Sequence, residues 1–218
     1  MIDNNFLNVN LATPEGIHQA KEMGVMESNL LQLVVSSYFF EASELFSSFQ
    51  KGRMFTMLRH PVEVAISLFY YLGTAEWEKE YDKSWANMTL MEYIQSDLVR
   101  ENWMTRFLTD ELEAPLTEEH VAVATQILAE KCIIGLIDKM EESIQRFETY
   151  FGWELDRRGE KCLARFLDMR INENKNKLHT YVQGSDEWDM LLAINEYDVM
   201  VYENARALFE YQAELLKE

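Results

Sequence analysis

The residues whose types and spacing could do chemistry lie in Arg53-Met-Phe-Thr-Met-Leu-Arg-His-Pro-Val-Glu-Val-Ala-Ile-Ser-Leu-Phe-Tyr-Tyr-Leu-Gly73. Arg59 and Ser67, eight positions apart, could bind a phosphate. A guanidinium fork matches phosphate oxygens in two parallel hydrogen bonds, and a hydroxyl adds a neutral donor. Their positions suit that task. Met54 to Leu58 is a short apolar run containing Phe and Thr, the pattern of a buried strand. Pro61 cannot continue the strand but fits the first turn of a helix. Val62, Ala65, Ile66, Phe69, Tyr70 and Leu72 then recur at helical spacing, and Gly73 can close that helix. Arg59 therefore falls at a strand's carboxyl end, where open α/β sheets bind ligands. The plain structural alternatives are an Arg59–carboxylate pair and a Ser67 that is merely small on a helix face. His60 reads as a helix cap first and as a ligand contact second, and Arg53 as a surface residue at the strand's start.

The rest of the chain must position that stretch. Thr13-Pro14-Glu15 opens a short helix to about Met23, with a cap, a first-turn proline and a dipole-matched acid. Residues 1–12 read as a loose polar lead. Leu30–Val35 is a second strand candidate, and Tyr38–Phe49 reads as a helix. This strand–helix–strand–helix order predicts a parallel α/β unit. The acidic stretch Glu76–Asp82 reads as a loop or a solvated helix end. Thr89 caps a further helix, which explains Asn87-Met-Thr89 as well as a glycosylation acceptor does. Glu101–Leu108 and Thr117–Ala129 are helical, Cys132–Ile137 is the third strand candidate, and Lys139–Tyr150 is a helix stopped by Gly152. Arg157–Ile171 is another helix, Asn172–Lys177 a polar loop, and Ser185–Leu216 a helical tail broken near Asn195. The fold class is α/β: a partial parallel sheet wrapped by many helices, with a helix-rich carboxyl-terminal half, in one domain spanning 1–218.

Composition bounds the function. Of 218 residues, 48% are hydrophobic, enough for a packed core. The net charge of −18 argues against nucleic acid as a partner, because a phosphate backbone needs a basic face. It also argues against a polybasic membrane anchor. An anionic ligand would need local positive groups, and Lys51, Arg53, Arg59 and His60 are the candidates. Cys132 and Cys162 lie beside apolar residues and read as two buried free thiols, with a disulfide as the alternative. No zinc-type spacing, signal peptide or transmembrane stretch stands out.

Arg59-x-Pro61 followed by Ser67 resembles the 3′-phosphate-binding motif of the sulfotransferases that use 3′-phosphoadenosine 5′-phosphosulfate (PAPS). Asn102-Trp-Met-Thr-Arg-Phe-Leu108, Gly135–Phe151 and Asn195-Glu-Tyr-Asp-Val-Met-Val-Tyr202 are similar to the carbohydrate sulfotransferases, so the resemblance spans roughly residues 30–218. It implies a P-loop-like sulfotransferase fold and PAPS as the sulfate donor, with no metal. Arg59 and Ser67 would bind the cofactor, a carbohydrate hydroxyl would be the acceptor, and relatives work in the Golgi lumen. Asn102 and Arg106 fall in a region that approaches cofactor or acceptor in the family, although structural hydrogen bonding explains them equally well. Lys175 and Lys177 resemble a basic loop near the cofactor, or are simply solvated. The chain departs from the family at its start. Its eight glycines are unclustered, and no Gly-Lys-Thr loop follows Leu30–Val35 to hold the 5′-phosphosulfate. The catalytic base is unknown: only His18 and a few acids lie between the two phosphate regions. A chain truncated at its amino end is the first reading of that gap. A pseudoenzyme that binds a nucleotide phosphate or a protein is the second. Either way the expectation is little or no sulfate transfer.

Overall fold

The computed structural model describes residues 9–28, 33–49, 51–76, 81, 83–177 and 183–215, with the backbone alone described at 86, 169–177 and 215. In chain order the described elements are α1 (Pro14–Glu22), α2 (Phe39–Ser43), β1 (Met54–Leu58), α3 (Pro61–Leu72), α4 (Leu90–Ile94), α5 (Trp103–Thr109) and α6 (Glu118–Lys131). There follow β2 (Cys132–Leu136), α7 (Met140–Phe151), α8 (Arg157–Lys177), α9 (Asp186–Ile194) and α10 (Glu196–Leu215). Short 3₁₀ turns precede α4 and α7.

The two strands pair in parallel, Met54 opposite Cys132 through Leu58 opposite Leu136. Parallel pairing requires a long crossover, and α3–α6 provide it. The mixed class is therefore as expected: many helices around a small parallel sheet. Side chains close one edge of that sheet. Gln212 of α10 accepts from the Ile134 amide (2.9 Å) and donates to the Cys132 carbonyl (2.9 Å), standing where another strand would bond. Ser143 of α7 does the same at the end of β2, accepting from the Leu136 amide (2.9 Å) and donating to the Lys139 carbonyl (2.8 Å). Gly135 lets β2 lie close to its neighbours: a Cβ there would overlap Met57 Sδ and the Phe147 ring. The main core joins both strands to α6 and α10 through Leu58, Leu128, Ile134, Leu136, Val201 and Phe209. A second core packs α3, α4 and α9 around Val62, Phe69, Tyr93 and Leu191.

Several expectations need correction. Leu30–Gln32 lie outside the described residues. Leu33–Val35 form no strand, and Leu33 and Val35 are exposed. An apolar run becomes a strand only by joining a ladder, and among the described residues β1 bonds to β2 alone. The helix expected over Tyr38–Phe49 stops at Ser43. Ser43 turns its hydroxyl back to the Phe40 carbonyl (2.7 Å) and Ser47 accepts from the Phe49 amide (3.3 Å), local bonds that compete with helix. Conversely, α8 runs through Asn172–Lys177, expected as a loop. That stretch contains no Gly or Pro, and the helix penalty of Asn is below about 0.7 kcal/mol per residue. Cys132 is a buried free thiol whose pKa burial pushes up to about 11, whereas Cys162 is exposed and also free. Other signals held: Thr89 closes a capping box with Glu92 (3.2 and 2.7 Å), and Gly152 ends α7 at φ +66°.

Candidate phosphate site at the sheet's carboxyl end

Arg59 directly follows β1, and its side chain is 18% exposed. Its Nε donates to Glu63 Oε2 at 2.9 Å, one helical turn on. The carboxylate alternative is thus partly realised. Among the described residues no protein group meets Nη1 or Nη2, so none of them takes up the outer prongs of the fork. Glu63 fixes the plane of the guanidinium rather than saturating it. Ser67 is exposed on α3, four residues beyond Glu63. Glu63 and Ser67, four residues apart, share one face of α3, and Arg59, just before the helix, bonds to Glu63. A ligand bridging Arg59 and Ser67 therefore passes the Glu63 carboxylate, whose charge the Arg59 bond offsets. The amino terminus of α3 faces the same region without a side-chain cap, leaving first-turn amides and the positive end of the helix dipole available to an anion.

His60 occupies the N-cap position of α3 but makes no cap bond. It packs instead against the Trp188 ring (centroids 5.2 Å, 26°) and edge-on to Tyr202 (5.6 Å). Its Nδ1 is buried without a partner among the described residues. Burial lowers the His60 pKa, outweighing the pull of Glu63 and Glu203 in the other direction. A neutral His60 does not add to the positive field. Tyr202 is pushed up to about 12, chiefly by burial, so its hydroxyl stays neutral. Arg53 does not help either. It sits at the other end of β1, roughly 20 Å from Arg59 at about 3.3 Å per residue. There its guanidinium lies over Tyr150 and Phe151. Of the expected cations Arg59 remains, with exposed Lys51 also at the amino end of the strand.

Asn102 and Arg106 prove structural. Asn102, buried at φ +53°, accepts at Oδ1 from the Tyr197 and Asp198 amides (3.1 Å each), capping α10. Asp198 in return accepts from the Met104 and Thr105 amides (2.9 and 2.7 Å) and the Thr105 hydroxyl (2.7 Å), capping α5. Asn195 Oδ1 accepts from the Asn102 amide (2.9 Å). Two helices more than 90 residues apart thus cap each other. Burial raises the Asp198 pKa, against these donors and Arg106. Arg106 ties the flanking loops together through the Glu101, Glu111 and Ala114 carbonyls (3.3, 3.1 and 3.0 Å). Lys175 and Lys177 lie in α8 rather than in a loop. His18 is exposed on α1 beside Glu22 (3.3 Å).

Sequence reasoning missed Trp188 and Tyr202, which wall His60. Tyr202 closes the Asn195–Tyr202 stretch noted for its resemblance, whereas the signal for Trp188 was its place in a helical tail containing several aromatics. No family model matches the chain, and no curated protein or solved structure matches it. Among the described residues no helix is long and apolar enough to cross a membrane, and no group of three His, Cys, Asp or Glu side chains could hold a metal ion.

Proposed function

We propose that this chain is a sulfotransferase-like domain of P-loop-like fold that holds the 3′-phosphate of PAPS at the carboxyl end of its sheet. The observation that carries this reading is Arg59: a guanidinium at a strand end, oriented through Nε by Glu63, with terminal nitrogens that no described residue meets, beside an uncapped helix amino terminus. Arg59 supplies the charged fork and Ser67 a neutral donor. In a complete sulfotransferase site, an acceptor hydroxyl attacks sulfur in line and the 3′,5′-diphosphate leaves, with electrostatic clamping of that leaving group lowering the barrier. This chain contributes the clamp on the 3′-phosphate. The acceptor class is a carbohydrate, on the strength of the sequence resemblance.

The second reading is a non-catalytic module that binds a nucleotide phosphate. It is favoured by the separation of the titratable groups from one another: His60 is walled by rings, and no nucleophile–base pair stands beside Arg59 among the described residues. Calorimetric titration with adenosine 3′,5′-diphosphate, beside adenosine 5′-monophosphate, tests the shared core of both readings. The diphosphate binds and the monophosphate binds at least tenfold more weakly, since it lacks the group Arg59 reads. Equal affinity for the two, or none for the diphosphate, overturns the assignment. Transfer of labelled sulfate from PAPS to polysaccharide then separates enzyme from module.

A further inference from the structure

α8 is unlike the other described helices. Its 21 residues hold seven of the chain's twenty Lys and Arg against three acids; the remaining residues carry 13 bases and 35 acids. Cations elsewhere are largely committed: Lys21, Arg59, Arg106, Lys139, Arg146 and Arg206 all meet carboxylates. Arg157, Arg158, Lys161 and Arg165 meet none among the described residues, in a chain where acids outnumber bases nearly two to one. Arg157, Lys161 and Arg165 recur every fourth residue, a stripe about 12 Å long at 1.5 Å per residue. The opposite side of the helix, Leu163 and Leu167, leans half-buried on Trp153 and Leu155 across an open groove of about 330 Å³. The charged side, with Arg157, Lys161 and Arg165, is exposed.

The complement of this stripe lies on the same chain. Asp110, Glu111, Glu113, Glu118 and Glu119 fall within ten residues that contain no cation, and Leu112 stands exposed among them. Chain connectivity places the two surfaces towards opposite ends of the sheet. α7 ends beside the amino end of β1, where Arg53 reaches the Tyr150 carbonyl (3.5 Å), and α8 follows there. α6 leads into the amino end of β2, so its first turn and the acidic segment lie about 21 Å away, towards the carboxyl end. We infer that the basic face of α8 docks on the acidic 110–119 segment of a second copy, joining molecules head to tail. Such a contact is heterologous and can propagate beyond a dimer. Near 0.15 M salt the screening length is about 8 Å, so apposed patches attract while the overall charge of −18 is largely screened.

Sedimentation velocity of the full chain tests this. At about 0.15 M salt the wild type shows concentration-dependent association that about 1 M salt dissolves. Lys161→Glu/Arg165→Glu and, separately, Glu113→Lys/Glu119→Lys each weaken association at least tenfold without lowering the melting temperature. All four side chains are exposed. Mixing the two variants restores association, because each then offers what the other lacks. A monomeric wild type across the concentration range, unimpaired association in the Lys161→Glu/Arg165→Glu variant, or no recovery on mixing overturns the proposal. So does a monomer retained instead by anionic vesicles or a sulfated polysaccharide through the same stripe.

Discussion

At the scale of the residue, the proposed phosphate recognition turns on how Arg59 is used. A charge-assisted hydrogen bond contributes roughly 1.5–3 kcal/mol. Arg59→Ala is therefore expected to weaken diphosphate binding about 10- to 150-fold, at about 1.4 kcal/mol per decade. Arg59→Lys recovers part of the loss, because an ammonium lacks the two-pronged geometry. Ser67→Ala costs about 1 kcal/mol, one neutral hydrogen bond. If Arg59 served only its Glu63 partner, Arg59→Ala would leave affinity untouched in calorimetry. His60 gives a pH prediction. Burial holds its folded pKa below the unfolded value of about 6.5. Unfolded chains then bind the proton more readily, so stability is complete above that value and declines as pH falls below it. Urea unfolding at pH 7 and pH 5 should show this decline in the wild type and less of it in His60→Phe, which keeps the stack on Trp188. An equal decline in both would mean His60 does not titrate in that window. The placement of Arg59 at a strand end, Pro61 at a helix start and Ser67 on that helix was legible because residue type, order and spacing are local. The walls of His60 were not, since Trp188 and Tyr202 lie more than 120 residues on.

Among the elements, the reciprocal capping of α5 and α10 makes the sharpest claim. Asp198 is 4% exposed and accepts three hydrogen bonds from α5. Asp198→Ala would strand these donors away from water, and about 3–5 kcal/mol of stability should be lost. Asp198→Asn keeps one acceptor and should lose about half as much. Urea midpoints measure both; a cost under about 1 kcal/mol for Asp198→Ala would mean the caps are dispensable. Element boundaries with local markers were readable in advance: Pro14 and Pro61 at helix starts, the Thr89–Glu92 box, and Gly152 at a helix end. Boundaries set by competition were not. α2 is shortened by serine turns, and α8 runs on because nothing stops it. The pairing of Asn102 with Asp198 could not be read at all, because a cap supplied from more than 90 residues away leaves no periodic trace.

For the whole molecule, two of the three expected strand runs were legible and a parallel sheet was expected, but the parallel partner of Met54–Leu58 is Cys132–Leu136 rather than Leu30–Val35. The sheet's width was not legible: Gln212 ends it with a side chain, and a run such as Leu33–Val35 carries no mark of whether it finds a partner. Among the described residues, Arg59 at the sheet's carboxyl end and the α8 stripe both offer positive charge to an anion. On the proposed reading they are rival hosts for a nucleotide phosphate. Amide chemical-shift mapping of the labelled 25.7 kDa chain during titration with adenosine 3′,5′-diphosphate distinguishes them directly. A phosphate held by Arg59 predicts saturable shifts concentrated on Leu58–Ser67. Shifts confined to Arg157–Arg165, or a spectrum unchanged at millimolar ligand, would contradict it.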